Sequence, residues 1–507
     1  MGERRIFVAV FKFVILIFWT MFQFVAIALV FNSFNISLIY YFVFFEIISV
    51  IFVIHLNYKD KNTSYKISWI VLILLIPVVG ALIYIFSMIG IKRNFNKINK
   101  IELDKDVFPK EDQDMLSSFK NENKMRYNET RLIKNISDYG CYINTKVDYF
   151  SSGEDMYKKL LEELKNAKKF IFLEYFIISK SKMWDEIFEI LKEKANNGVE
   201  VRVLVDYVGS LVVLPKNFKR SLKVNNIKLK IFNPFKIILN FMLNYRDHRK
   251  ITVIDGTVAF TGGINIGDEY INEYKKYGYW KDMAVCLKGE AVYSFTIMFL
   301  RMWQSISKKK EDFSKYKTSF KLEKSQGIVM PYNSGPIKPD GAAEYVYLNI
   351  INSAKNYIYI TTPYLVIGYE MTLALCLAAK RGVDVRIITP FIPDKKIVQI
   401  LTRSHYDNLL DSGVKIYEYT PGFIHGKTFV SDGECAVVGT INLDYRSLYL
   451  HFECATYLYN VPIIDNIYKD FLRTIEVSKK INKDVWEKRS LSKKIVESIL
   501  RMFAPLV

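Results

Sequence analysis

The stretch DHRKITVIDGTVAFTGGIN, residues 247–265, sets a histidine and a lysine two positions apart, then an aspartate, a glycine pair and an asparagine. A second stretch, IHGKTFVSDGECAVVGTIN, residues 424–442, repeats that order at the same internal spacings. His248, Lys250, Asp255, Gly262 and Asn265 answer to His425, Lys427, Asp432, Gly439 and Asn442. In each copy an apolar run, an Asp-Gly pair and a second apolar run make a hairpin signature. Side chains alternate along a strand, so the histidine and lysine share one face. The returning strand carries Gly263 and Asn265, or Thr440 and Asn442, back toward that face, where glycine lets a ligand come close to the backbone.

The repeat reaches well beyond these stretches. AKKFIFLEYFI (167–177) is echoed by AKNYIYITTPYLV (354–366), and NNGVEVRVLVD (196–206) by KRGVDVRIITP (380–390). Between the strand-like runs lie amphipathic segments such as MYKKLLEELKNA and WDEIFEILKEKANNG, the second closed by Asn-Gly. Alternating strands and helices define an α/β fold, and the long period makes it two similar α/β halves. We place them at residues 146–310 and 325–507, divided by the charged KKKEDFSKYKTSFKLEKS (308–325) and preceded by a polar linker and lead-in at 92–145.

Two such halves sharing one active site pool two imidazoles, two ammonium groups and two amides. Transfer at a phosphodiester needs these types: a nucleophile, an acid for the departing alkoxide, and fixed donors for the non-bridging oxygens. Histidine serves either of the first two roles, according to its protonation state. The catalytic candidates are therefore His248, Lys250, His425 and Lys427, with Asp255 and Asp432. The substrate-binding candidates are Asn265, Asn442, Gly263 and Thr440. Pairs of the HxH or HExxH type are absent, so neither a metal nor a cofactor is expected. His55, His405 and His451 have no counterpart in a repeat and read as structural.

The two HxKxxxxD patterns, followed by GGIN and GTIN, resemble the signature of the phospholipase D superfamily. The contexts NYRDHRKITVIDG, YGYWKDM, TTPY, GVDVRIITP, FIHGKTFVSDG and GTINLDYRS resemble the bacterial cardiolipin synthases within it. That resemblance implies a phosphatidyl-histidine intermediate on His248, with His425 acting as acid and then base. It also implies that Glu453 orients a motif histidine, with Asp282 as its counterpart in the first half. The implied reaction joins two phosphatidylglycerol molecules into cardiolipin and releases glycerol. Lipid hydrolysis or head-group exchange would use the same residues, and a nuclease is the more distant alternative.

The N-terminus points to a membrane. Residues 6–31, 34–56 and 67–91 are each predominantly apolar, and each is long enough to cross a hydrocarbon core of ~30 Å as a helix. Residues 1–91 are thus expected to be a multi-pass anchor in the cell membrane, with Lys12, Gln23 and Glu46 against helix neighbours. An apolar, basic and aromatic stretch, NPFKIILNFMLNYR (233–246), suits a lipid interface. The chain carries 71 Lys and Arg against 52 Asp and Glu, a net charge of +19, which favours an anionic partner. Beside a membrane anchor that partner is an anionic phospholipid, phosphatidylglycerol or cardiolipin, rather than nucleic acid. Five scattered cysteines without CxxC spacing fit a reducing compartment, and the catalytic part is expected on the cytoplasmic side.

Overall fold

Of nineteen short strands among the described residues, most of them buried on both faces, fifteen form two large sheets and four form two small two-stranded ones. The computed structural model describes residues 38–58, 63–76, 80–85, 113–137, 139–210, 213–233, 245–307, 309–318, 326–336 and 341–506. The chain divides into two units, Met1–Lys92 with Pro505–Val507, and Arg93–Ala504.

In the first unit, helices Leu38–Tyr58 and Thr63–Leu75 contribute to a small core of Leu56, Trp69, Ile73 and Tyr84, with Leu506 packed against it. Trp69 and Tyr84 meet edge to face at 5.2 Å. No helix among the described residues is long and apolar enough to cross a membrane. Leu38–Tyr58 has 21 residues and Thr63–Leu75 has 13. The expected span at 6–31 lies outside the described residues, as do 234–244 of the proposed interfacial stretch.

In the second unit, the first sheet holds β1 (Thr145–Phe150), β2 (Phe170–Tyr175), β3 (Glu200–Asp206), β4 (Lys228–Phe232), β5 (Lys250–Ile254), β6 (Val258–Gly262) and β8 (Ala284–Gly289), with the short β7 (Tyr279–Lys281) outside it. Its order is β1-β8-β6-β5-β2-β3-β4. The second half supplies β9 (Ile328–Ser334), β10 (Tyr357–Thr361), β11 (Leu365–Val366), β12 (Asp384–Pro390), β13 (Lys415–Tyr419), β14 (Gly422–Ile424), β15 (Thr428–Ser431), β16 (Cys435–Gly439), β17 (Leu443–Asp444), β18 (Glu453–Tyr459) and β19 (Ser478–Lys480). Its sheet runs β9-β18-β16-β15-β10-β12-β13-β19. Apart from the added β19, the two orders correspond strand for strand, and so do the directions: the pairs β2/β3 and β10/β12 are parallel, while β2/β5 and β10/β15 are antiparallel. The repeat in the sequence is therefore a repeat of the whole fold.

Helices cover both sheets, and their ends follow from the sequence. Ser152 caps Gly153–Lys165 by accepting from Asp155 N at 3.2 Å, and Ser181 caps Lys182–Asn196 by accepting from Trp184 N at 3.1 Å. The latter helix stops at Asn197, before Gly198 with φ of +87°, a conformation glycine adopts without strain. Part of the lead-in departs from the linker reading. Helices Gln113–Glu122 and Lys124–Ser137 pack into the second core through Phe119 and Ile133. Arg126, fully buried there, bonds Glu129 at 2.8 Å and Glu434 at 3.1 Å.

Candidate active site

Backbone pairing between the halves builds the site. His248 N donates to Phe452 O at 2.9 Å, which sets the next residue, Glu453, beside the His248 ring. His425 N donates to Lys281 O at 2.7 Å and β14 runs parallel to β7, which sets Asp282 beside the His425 ring. The carboxylates are thus crossed. His248 Nδ1 lies 2.9 and 3.1 Å from the two oxygens of Glu453, and His425 Nδ1 lies 2.7 Å from Asp282 Oδ2. Each motif histidine is held by a carboxylate of the other half, both carboxylates being fully buried. With Nδ1 so engaged, the Nε2 of each ring is the nitrogen left for chemistry.

The lysines lie behind the rings. Lys250 Nζ donates to His248 O at 2.6 Å, and Lys427 Nζ donates to His425 O. An ammonium has three donors, so each keeps two for a ligand. Burial lowers Lys250 to about 8, against the pull of Glu453 and Asp282, and lowers Lys427 to about 7, with Lys250 adding repulsion. Burial likewise holds His248 well below its ordinary value, with Lys250, Lys427 and His425 pushing the same way. Burial and Lys427 lower His425 to about 4, although Asp282 opposes them. Asp282 stays below the usual carboxylate range, because His425, Lys427 and the Met283 N–H outweigh its burial. The site thus sets two lysines and two neutral imidazoles beside two buried carboxylates, with the lysine donors available to an incoming anion.

The remaining candidates divide. Asn442 is buried, and its Oδ1 has no partner among the described residues. Asn265 is committed: its Oδ1 accepts from Ile177 N at 3.1 Å and its Nδ2 donates to the Tyr270 hydroxyl at 2.9 Å. Gly263 and Thr440 were candidates for substrate contact, but both serve the carboxylates instead. A side chain at Gly263 would collide with the Asp282 carboxylate, and Thr440 donates its hydroxyl to Glu453 Oε2.

Asp255 and Asp432, counted among the catalytic candidates, are engaged by backbone donors. Each follows the histidine by seven positions, roughly 20 Å of extended chain, and sits in the hairpin turn with φ of 55°. Asp255 accepts from the backbone N–H of Lys168, Lys169 and Phe170 at 2.7–2.9 Å, and Asp432 from those of Lys355, Asn356 and Tyr357 at 2.8–2.9 Å. Both aspartates tie the turn to the start of the neighbouring strand, β2 or β10.

Three neighbours escaped the reading of the sequence. Trp280 lies 5.3 Å from the His425 ring, and Phe176 meets His248 edge to face at 4.9 Å. His451, read as structural, has its ring 5.3 Å from that of His248 and its Nδ1 3.6 Å from Glu453 Oε1. No spacing in the sequence announces it, since no repeat partner exists. The ligand atoms of His248, His451 and Glu453 lie within 4.8 Å of one another, a group that could hold a divalent cation. The chemistry available to the two imidazoles makes no use of one.

Comparison with known proteins gives the family context. A family model described as "Cardiolipin synthase, PLD-like domain" matches residues 160–303 and 347–475, and one described as "Phospholipase_D-nuclease N-terminal" matches residues 47–87. An uncharacterized protein of Streptococcus mutans is 43% identical over 458 residues, spanning 90% of this chain and 99% of that protein. Cardiolipin synthase 2 of Bacillus cereus is 35% identical over 453 residues, spanning 89% and 88%. Among solved structures, phosphatidylserine synthase of Haemophilus influenzae shares the fold with a TM-score of 0.55 at 16% identity, over 76% of this chain and 98% of that one.

Proposed function

The chain belongs to the phospholipase D-like cardiolipin synthase family, and from that membership we propose that it transfers a phosphatidyl group from one phosphatidylglycerol to another, releasing glycerol. The observation that carries the chemistry is the crossed pair of histidine–carboxylate contacts, which leaves two Nε2 atoms for one phosphodiester.

The reaction runs in two displacements. His248 Nε2 attacks phosphorus, the bond to the glycerol oxygen breaks, and His425 gives that oxygen a proton. Phosphorus is then bonded to His248. The hydroxyl of a second phosphatidylglycerol gives its proton to His425, bonds to phosphorus and displaces His248. The assignment of roles is the one the family resemblance implies; the lysines repel a proton from both rings, and the opposing pull of Asp282 at His425 supports its part as the acid. A bound phosphodiester adds negative charge beside His425 and raises its proton affinity from the low value of the empty site. Lys250, Lys427 and Asn442 are the donors for the non-bridging oxygens.

The same reading makes residues 1–91 a multi-pass anchor in the cell membrane, with the catalytic part on the cytoplasmic side. Its support is the apolar composition of that region and the N-terminal family match at 47–87. An anchored site meets lipid alcohol at far higher local concentration than soluble alcohol, which favours transfer over hydrolysis. The test incubates the purified protein with phosphatidylglycerol vesicles and identifies the products by mass spectrometry. Cardiolipin and glycerol are expected. Phosphatidic acid as the dominant product, without cardiolipin, would make the protein a hydrolase.

A further inference from the structure

The helix Leu491–Phe503 is amphipathic in the reverse of the usual sense. At about 100° per residue, Leu491, Ile495, Ile499 and Val496 fall within an arc of about 140°. That arc faces outward: Leu491 is 73% exposed, Ile495 50%, Val496 48% and Ile499 52%. The side turned to the protein is mixed: Leu500 packs against the cluster of Val366, Leu401 and Tyr445, and Lys493 and Ser498 stay exposed. Glu497, the sole acid of the helix, is buried and pairs with Arg489 at 3.1 Å, and Arg501 donates to Ser404 O at 3.3 Å. The helix packs on its neighbour Lys396–Ser404, where Ile397 is also exposed. A water-facing helix that hides its carboxylate and presents four aliphatic side chains has a cover in its working state.

Charge identifies the cover. Arg489 pairs with both Glu497 and Asp407, and the exposed charged residues of the helix itself, Lys493 and Arg501, are basic. Aliphatic residues flanked by lysine match a bilayer with anionic head groups: the apolar arc enters the acyl boundary while the ammonium groups stay among the phosphates. Covalent continuity points the same way. The chain passes from this helix through Ala504 into Pro505–Val507, which group with Met1–Lys92, and there Leu506 packs against the core of the apolar N-terminal unit.

We propose that helix Leu491–Phe503 lies in the surface of an anionic bilayer, with Leu491, Ile495, Val496 and Ile499 immersed, and so adds a C-terminal contact to the N-terminal anchor. The proposal rests on the reading of the protein as a membrane phosphatidyltransferase. It is tested on the full chain in phosphatidylglycerol vesicles, with Cys376→Ser removing the one natural cysteine that is not buried. A fluorophore is attached through Ile495→Cys or Ile499→Cys, and through Glu193→Cys as an exposed control. Nitroxide lipids should quench the probes at 495 and 499 and leave the control bright, while aqueous iodide should do the opposite. Equal quenching of all three by iodide would overturn the proposal, as would chain-to-chain disulfide cross-linking through position 499. This measurement reads location, not turnover, so its failure is distinct from failure of the assigned reaction. In addition, Ile495→Glu with Ile499→Glu should lower turnover on vesicles about tenfold relative to turnover on micellar short-chain phosphatidylglycerol. An unchanged ratio would also overturn it.

Discussion

At the scale of single residues, the division of labour rests on what stands behind each imidazole. His248→Ala and His425→Ala should each lower turnover by at least about 10³-fold while the circular dichroism spectrum and melting temperature hold, because one carries the phosphatidyl group and the other moves the proton. Acid quenching during turnover should leave lipid on His248; lipid on His425 would reverse the roles. Gly263→Ala is a sharper probe. Its methyl group would displace the Asp282 carboxylate and thereby turn the His425 ring, so kcat should fall about 10²-fold with little change in KM. The histidines and lysines are legible in the sequence because all their determinants lie within a few positions of one another and occur twice. Glu453 and Asp282 are legible only as a pair of counterparts. Which histidine each one holds depends on hydrogen bonds between Phe452 and His248, and between Lys281 and His425, and no local spacing encodes that register. His451 stayed hidden for the same reason.

At the scale of elements, the Asp-Gly hairpins show how one signature hosts two meanings. The turns 254–257 and 431–434 follow directly from the sequence, with positive φ at Asp255 and Gly256 and at Asp432 and Gly433. The use of the aspartate side chains does not, since the N–H groups they bind belong to strands more than 70 residues away. Asp255→Asn and Asp432→Asn should therefore weaken the fold and spare the chemistry. The amide keeps the oxygen that accepts two of the three N–H groups but loses the charge and turns a donor toward the third, so we expect a cost of about 1.5–3 kcal/mol in denaturant titration, with kcat per folded molecule within about twofold of the parent. A large loss of kcat at unchanged stability would restore a catalytic role. The alternation of helices and strands was readable for the same reason as the turns, being written in local periodicity and caps. The lead-in helices were not, because the site that receives Phe119, Arg126 and Ile133 is assembled from the second half of the chain.

At the scale of the whole molecule, four histidines sit buried in the catalytic unit with lowered proton affinity: His248, His425 at about 4, and His405 and His451 at about 3. An unfolded chain binds these protons near pH 6.5. The unfolded state therefore takes up more protons than the folded one below that value, and stability falls with pH by roughly 1.4 kcal/mol per unit for each such histidine. Melting temperature should drop steeply from pH 6.5 toward pH 4, continuing a gentler fall that begins above pH 8, where the lowered Lys250 and Lys427 act with the same sign. His405→Leu, remote from the chemistry, should shallow that slope. An unchanged slope would mean that His405 protonates as readily in the folded protein as in the unfolded chain. The crossing of the carboxylates has a further consequence for how the protein comes into being. A chain is made from its N-terminus, so His248 and Lys250 leave the ribosome about 200 residues, and Asp282 about 170, before Glu453 does. During that interval the first half has a motif histidine with nothing to hold its ring, beside a carboxylate awaiting a histidine not yet made. A nascent or truncated chain should therefore be silent toward lipid, with reactivity beginning only when the last stretch of the second half has been synthesised and docked.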